Sequence, residues 1–435
     1  MKNITWICYN HRHFKKNKKK WIALHYHNRH LESEIRESLA FYKAILLIGA
    51  RQVGKTTLLR HVFPDFKIIT FDPVLDIMQA RSNPDLFLES IGTPVILDEV
   101  QYVPELFPAL KRRMDDQGIT GQYVLTGSQN PMLLKQVAES MAGRVAIYEL
   151  ESYSVQERII ADSVKMPWIS RFIENGCDWK LMPQLSSQSF NESLMEVLWR
   201  GSLPDAVRLP LRQVGRYHAS YILTYLERDV RIAGHVEDIE KFSRFLALCA
   251  ALSGQVVNRA QLGREIGIAP ATAEKWLAIL KATFQWHELA PWKGNTIKRI
   301  SGKAKGLFSD TGLVSHLLRL SSPEAVLAAP QRGAMFETFV GNEIRKSLLG
   351  FAGTVGHYHW RTDAGAEVDN VLKVNGRLHP FEVKCKDNLN AYDMRGIRAF
   401  RETYGDAAGD GAIIYAGRNA YKLDEKTWAV PWTAA

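Results

Sequence analysis

Short apolar runs alternate with amphipathic stretches over the first third of the chain. Leu31, Ile35, Leu39 and Tyr42 recur at helical spacing and predict a helix over 31–43. The run 44–49 stays apolar until it stops at Gly49, the pattern of a buried strand. A helix is expected over 55–63. Three more apolar runs, 68–71, 95–97 and 123–126, read as buried strands separated by helical stretches such as 104–116. Strands alternating with helices predict a parallel sheet covered on both faces, an α/β fold.

Beyond this the period changes. Residues 155–232 are mostly helical in pattern, as over 217–230, where Tyr221, Leu223, Tyr225 and Leu226 lie among charged residues. Residues 237–305 read as a small helical unit closing on a pair of strands. The stretch 321–333, with two prolines, reads as a linker. A helix over 334–349 then precedes aromatic and β-branched runs at 357–361, 367–373, 379–384 and 411–415, a second α/β unit. The expected organisation is a basic, disordered tail over 1–30, an α/β core over 31–155, a helical connector over 156–235, a small domain over 236–320 and a C-terminal domain over 330–435.

Composition narrows the class. With 46% hydrophobic and 23% charged residues in 435, the chain matches an ordinary soluble, multidomain protein. No apolar run approaches the ~18–20 residues that span a bilayer, so no membrane partner is expected. The N-terminal segment lacks the apolar core of a secretory signal. Four scattered cysteines, Cys8, Cys177, Cys249 and Cys385, form no C-x-x-C pair, which argues for a reducing, cytoplasmic setting. The net charge of +10 is concentrated in residues 1–30, which hold eight Lys or Arg and no acid. It is therefore a feature of the tail more than of the folded chain. The histidines there, His11, His13, His25, His27 and His30, are read as tail composition, not as metal ligands.

Phosphate chemistry is the clearest signal. Residues 49–56, Gly-Ala-Arg-Gln-Val-Gly-Lys-Thr, fit G-x-x-x-x-G-K-[ST] between a strand and a helix. Gly49, Ala50, Arg51, Gln52, Val53, Gly54, Lys55, Thr56 and Thr57 are expected to cradle ATP. The glycines let backbone amides curl around phosphates, and the helix aims its positive end at them. Lys55 should reach the β- and γ-phosphates, and Thr56 should ligate Mg2+. The run 94–99 is an apolar strand ending in Asp98 and Glu99. Asp98 would hold the Mg2+ shell, and Glu99 would orient or deprotonate the attacking water. The strand over 123–126 leads to Ser128, a candidate γ-phosphate contact, with Thr126 as the alternative. Arg144 is the candidate cation for transition-state charge, acting within the chain or across a subunit boundary. Arg51, Arg112 and Arg113 compete for that role.

These segments resemble the AAA-type P-loop ATPases of the AAA_14/DUF4143 family, found in bacteria and archaea. The resemblance rests on Gly-x-Arg-Gln-Val-Gly-Lys-Thr-Thr-Leu at 49–58, Ile-Leu-Asp-Glu-Val-Gln at 96–101 and Leu-Thr-Gly-Ser at 125–128. Further matches are Gly-Ser-Leu-Pro at 201–204, Tyr-Leu-Glu-Arg-Asp-Val at 225–230, Asp-Thr-Gly-Leu at 310–313 and Phe-Glu-Thr-Phe-Val at 336–340. The last are Trp-Arg-Thr at 360–362, Glu-Val-Asp at 367–369 and Phe-Glu-Val-Lys at 381–384. It covers roughly residues 22–420 and implies an ATPase core with a helical lid, a winged helix and a nuclease-like C-terminal fold. Two positions depart from it. Ala50 stands where proline is more usual, and Asn370 stands where an apolar residue is usual, which puts the strand after Asp369 in doubt.

Residues 259–282 read as helix, turn, helix. Gly267 closes the first helix and Pro270 opens the second. Residues 286–300 would form the wing, turning at 294–295. From 256 to 305 there are nine Lys or Arg and three acids, with Lys293, Lys298, Arg299, Lys303 and Lys305 in and after the wing. Thr272 and Lys275 are expected on the exposed face of the second helix. DNA and another protein both remain open as partners for this surface. In the C-terminal unit, Asp369 and Glu382-x-Lys384, with Glu337 on an earlier helix, fit the loose PD-(D/E)xK pattern. The carboxylates could bind Mg2+ and the lysine could position water; an inactive relative would keep the same pattern.

The reading favoured is an Mg2+-dependent ATP hydrolase acting as a nucleotide-driven switch, with DNA and further copies of the chain as candidate partners. An ATP-gated, metal-dependent DNA nuclease and a non-catalytic DNA- or protein-binding regulator remain as alternatives.

Overall fold

The computed structural model describes residues 26–72, 77–128, 141–158, 166–182, 185, 190–231, 236–294, 302–351 and 354–434. Residues 1–25, and with them most of the expected tail, lie outside the described residues, as do Lys298 and Arg299.

Five strands form the first sheet: β1 (Ala44–Ile48), β2 (Lys67–Thr70), β3 (Val95–Asp98), β4 (Tyr123–Gly127) and β5 (Val145–Glu149). Their order is β2-β3-β4-β1-β5, and every pairing is parallel. β1, β3 and β4 are buried along their whole length, as expected of central strands covered on both faces. β4 lies between β1 and β3. The C-terminal ends of those three strands therefore meet at one edge, where open parallel sheets hold their ligands. β5 escaped the sequence pattern because it is an edge strand, only partly buried.

The expected helix over 31–43 is shorter, Glu32–Ser38. The chain leaves it through tight turns, with the Phe41 and Tyr42 amides donating to the Ser38 carbonyl, and both rings are exposed. The tail boundary also needs correction. Residues 26–30 pack into the core, and Arg29 is buried.

The connector is not one unit. Helix Trp168–Glu174 lies on the C-terminal sheet, where Phe172 contacts the rings of Trp179, His379 and Phe381 at centroid distances of 4.6, 5.7 and 6.0 Å. The Trp179 indole N–H donates to the Gly411 carbonyl at 2.9 Å. Helices Leu194–Arg200, Pro204–Arg208 and Leu211–Thr224 follow. The last runs into a single π-helical turn, Tyr225–Val230.

The middle unit runs helix Ile239–Ala251, β6 (Gln255–Val256), helix Arg259–Ile266, helix Pro270–Ala282, then β7 (Trp286–Pro291) and β8 (Lys305–Phe308). Gly267 closes its helix in the left-handed region at φ 72°. β7 and β8 pair antiparallel, and the Trp286 ring lies against Gly306, where any Cβ would collide with it. Lys275 is exposed and Thr272 half-buried.

The expected linker contains a helix, Pro323–Ala328. Ser322 caps it, Pro323 opens it and Val326 is buried, so the proline starts an element where the sequence suggested a break. Helix Arg332–Leu348 then leads to β9 (Gly356–Arg361), β10 (Glu367–Val374), β11 (Arg377–Lys384), helix Arg395–Tyr404, β12 (Gly411–Tyr415), β13 (Tyr421–Asp424) and β14 (Thr427–Pro431). β10 continues through Asn370, but its pairing with β9 slips by one residue between Val368 and Val371, and the buried Asn370 amide oxygen meets the His357 ring at 2.9 Å. One nine-stranded sheet, β13-β14-β12-β11-β10-β9-β7-β8-β6, joins the middle unit to the C-terminal unit. The seam is a short parallel pairing, Ala290 with Tyr358 and Pro291 with His359. Among the described residues, no helix is long and apolar enough to cross a membrane.

Phe172 has no exposed surface. Replacing it with alanine is expected to cost about 3–5 kcal/mol, as for other buried phenylalanines. Urea unfolding of Phe172→Ala should show this as a lower midpoint at unchanged slope.

Candidate nucleotide site

β1 ends at Ile48, and the chain turns sharply through Gly49, whose φ is 149°. A Cβ there would lie 2.2 Å from the Leu150 carbonyl oxygen, so the turn requires glycine. The loop then uses two left-handed residues, Gln52 and Gly54, before helix Lys55–Val62 begins. Lys55 is buried, and its ammonium donates to the carbonyls of Gly49 and Ala50 at 3.0 and 2.9 Å. Burial lowers its pKa against the opposing charges of Glu99 and Asp98. A phosphate in the loop would offer this buried cation a full charge in place of two carbonyl dipoles.

Thr56 is the second residue of the same helix. Its hydroxyl donates to the Asp98 carboxylate at 3.0 and 3.1 Å. Asp98 also accepts from Thr126 at 2.5 Å and from Thr70 at 3.2 Å. A buried carboxylate beside a threonine hydroxyl is an all-oxygen donor set, and it fits a hard divalent ion such as Mg2+.

Glu99 leaves β3 in the left-handed region, at φ 61° and ψ 45°. This costs of order 1–3 kcal/mol for a non-glycine residue, and turns its carboxylate toward β4. The carboxylate accepts from Gln101 at 2.5 Å and Ser128 at 3.1 Å, and the Glu99 amide donates to Thr126 at 3.0 Å. Burial pushes the Glu99 carboxyl up, but Lys55 and the bonds from Gln101 and Ser128 hold it below the ordinary glutamate value. The carboxyl is therefore held in its ionised form. Both Ser128 and Thr126 come to this edge, the first on Glu99 and the second on Asp98.

The loop opens into a cleft of about 220 Å³ whose far wall includes Tyr26, Arg29, Tyr153 and Arg208. Sequence reasoning missed these residues. Arg29 donates to the Val53 carbonyl at 3.0 Å and the Glu151 carbonyl at 2.6 Å, and pairs with Glu157 at 3.1 Å. It clamps the loop backbone from a position that looked like tail. Arg208 ends the helix that follows the Gly-Ser-Leu-Pro motif and donates to the Tyr153 hydroxyl at 3.2 Å. That motif was the available signal. Arg51 pairs with Asp229 at 2.7 Å, so the π-helical turn reaches the loop.

Arg144 is a correction. It precedes β5, beside Ala44 at the start of β1, whereas the loop follows Ile48 at the other end of that strand. The strand length separates them by roughly 15 Å at about 3.3 Å per residue. Its guanidinium is engaged bidentately by Asp115 at 2.5 and 2.9 Å. Within its own chain Arg144 does not reach the site. Arg112 and Arg113 are also remote from it, both bonded to Asp85.

The C-terminal candidates do converge, with an addition. Lys305 of β8, expected on a basic wing, is buried and pairs with Glu337 and with Asp369, the latter at 3.2 Å. Lys384 pairs with Glu382 at 2.5 Å, and Asp369 accepts the Val383 amide at 2.9 Å. Burial, then the neighbouring Asp369 charge, pushes the Glu382 carboxyl up to about 8 and raises Glu337 as well. Among the described residues, the set bringing three metal-ligating atoms within 4.8 Å of one another is Glu149, Glu151 and His287. Arg345 already pairs with both of its carboxylates.

Three family models match successive stretches of the chain. The family described as AAA domain matches residues 41–159, the domain of unknown function DUF8612 matches 191–324, and the domain of unknown function DUF4143 matches 332–435. The uncharacterized proteins Rv2008c of Mycobacterium tuberculosis and Mb2031c of Mycobacterium bovis are each 29% identical over 401 residues, covering 92% of this chain and 82% of theirs. Among solved structures, the Walker-type ATPase paby2304 of Pyrococcus abyssi aligns at 17% identity and TM-score 0.40, over 67% of this chain and 96% of its own. A RuvB variant of Thermotoga maritima aligns at 18% and 0.27, over 59% and 86%. With an AAA domain over the P-loop and DUF4143 at its C-terminus, the chain belongs to the AAA-type P-loop ATPases of the AAA_14/DUF4143 family.

Proposed function

We propose that this chain binds ATP with Mg2+ in the cleft above the P-loop and hydrolyses it, using the exchange to switch the position of its helical segment. The observation that carries this reading is the meeting of Thr56, Asp98, Glu99 and Ser128 at the ends of three adjacent parallel strands. Mg2+, held by Thr56 and through the Asp98 carboxylate, would draw charge from the phosphates. Lys55 exchanges its two carbonyl partners for phosphate oxygens. Glu99, ionised and fixed by Gln101 and Ser128, takes a proton from the attacking water. Arg208 supplies a cation from the helical segment, and Arg51 ties the loop to Asp229 on the π-helical turn. Contacts to the phosphates would thus be felt directly by helix Leu211–Thr224 and the turn that follows it. The order helix, strand, helix, helix, hairpin over 239–308 supports a winged-helix reading of the middle unit, which lies next along the chain.

Lys55→Ala is expected to weaken nucleotide binding by about 100-fold or more, close to 3 kcal/mol. Titration with a fluorescent ATP analogue reads this directly, and unchanged affinity would contradict the proposed site. Asp229→Asn is expected to keep nucleotide binding while losing the coupling. ATP should then no longer alter the hydrogen exchange of residues 211–230 as it does in the wild type. An identical ATP response in both proteins would remove the Arg51–Asp229 link from the switch.

A further inference from the structure

The PD-(D/E)xK pattern calls for a divalent ion between its carboxylates, and the folded chain places a lysine there. Lys305 comes from β8 of the middle unit, paired with Val256 on one side and Leu289 on the other. Glu337 comes from helix Arg332–Leu348, Asp369 from β10, and Glu382 and Lys384 from β11. The Lys305 ammonium contacts Glu337 and lies 3.2 Å from Asp369 Oδ1. The other Asp369 oxygen is taken by the Val383 amide, and one Glu382 oxygen by Lys384. The remaining Glu382 oxygen is buried without a hydrogen-bond partner among the described residues.

We propose that Lys305 is the resident cation of this cluster, standing where a hydrolytic metal would have to sit. The cluster then works as a metal-free clasp between β8 and the C-terminal unit, not as a phosphodiester-cleaving centre. Two observations and one electrostatic argument agree. Among the described residues, Glu337, Asp369 and Glu382 form no group that brings three ligand atoms within 4.8 Å of one another. Lys305 is 6% exposed, so its charge is committed to the interior and unavailable to a nucleic-acid backbone. A buried ammonium needs carboxylate partners, and a divalent ion at the same place would confront it with like charge at contact distance. The clasp also explains why the two units share one sheet through so short a seam. The β7–β9 pairing is two residues long, and the ion pairs beside it cross the same boundary.

The inference is independent of ATP hydrolysis and is tested on the full chain without nucleotide. Mn2+ serves as the probe, with bound and free ion separated by electron paramagnetic resonance. Wild type is expected to bind no Mn2+ that Asp369→Asn removes. Lys305→Met, which keeps the side-chain volume, and Lys305→Ala, which opens space, are each expected to gain one Mn2+ site, tighter than any in the wild type by about tenfold or more. Adding Asp369→Asn should abolish that gain. Mn2+ bound to wild type and lost in Asp369→Asn would overturn the inference, even if both Lys305 variants failed to fold. Folded Lys305 variants that gain no site would overturn it as well.

Discussion

The Asp98 carboxylate is the tie on which the nucleotide site depends. Burying a carboxylate is costly unless its oxygens are hydrogen-bonded, and Asp98 is 3% exposed. Its partners are hydroxyls from Thr56, Thr70 and Thr126, which belong to the P-loop helix, β2 and β4. One side chain therefore aligns four elements at the same edge. The strand order makes this possible. With β4 paired to β3, Thr126 touches Asp98 while Ser128 touches Glu99, and β1 on the other side of β4 brings the P-loop to the same edge. In the proposed function the same carboxylate, with the Thr56 hydroxyl, would hold Mg2+.

A second set of polar ties carries the site outward. Arg29 joins the P-loop backbone to Glu151 and Glu157. The Glu151 carboxylate pairs in turn with Arg345 on helix Arg332–Leu348. Gln156 donates to the Ala434 carbonyl at 2.7 Å, at the far end of the chain. Loop, connector and C-terminal unit are thus held by buried polar bonds, charge-assisted at Arg29 and Arg345, where breaking one partner is costly. Such bonds favour discrete arrangements over gradual deformation, a property suited to a switch.

What the sequence disclosed followed the range of the interactions. The P-loop, Asp98 and Glu99 were legible because their chemistry needs a local spacing at a strand end. The central strands were legible because burial on both faces leaves an unbroken apolar run, whereas β5 at the edge did not. Arg29 was hidden, since nothing local separates a clamping arginine from the basic residues before it. Lys305 was misread for the same reason. It sits in a basic segment, but Glu337 and Asp369, which bury it, lie far along the chain. Arg144 was assigned to the wrong edge because β5 went unrecognised, and a residue that precedes a parallel strand sits opposite the ligand-binding end. Asp229 required a π-helical turn that no periodicity announces.

In the proposed function Glu99, turned out of β3 and kept ionised, activates water against ATP held on the P-loop. The most direct measurement is steady-state phosphate release by Glu99→Gln beside wild type, with ATP binding measured on the same preparations. Turnover is expected to fall by about 100-fold or more, in line with loss of a general base, while ATP binding persists. Turnover in Glu99→Gln equal to wild type would contradict that role for Glu99.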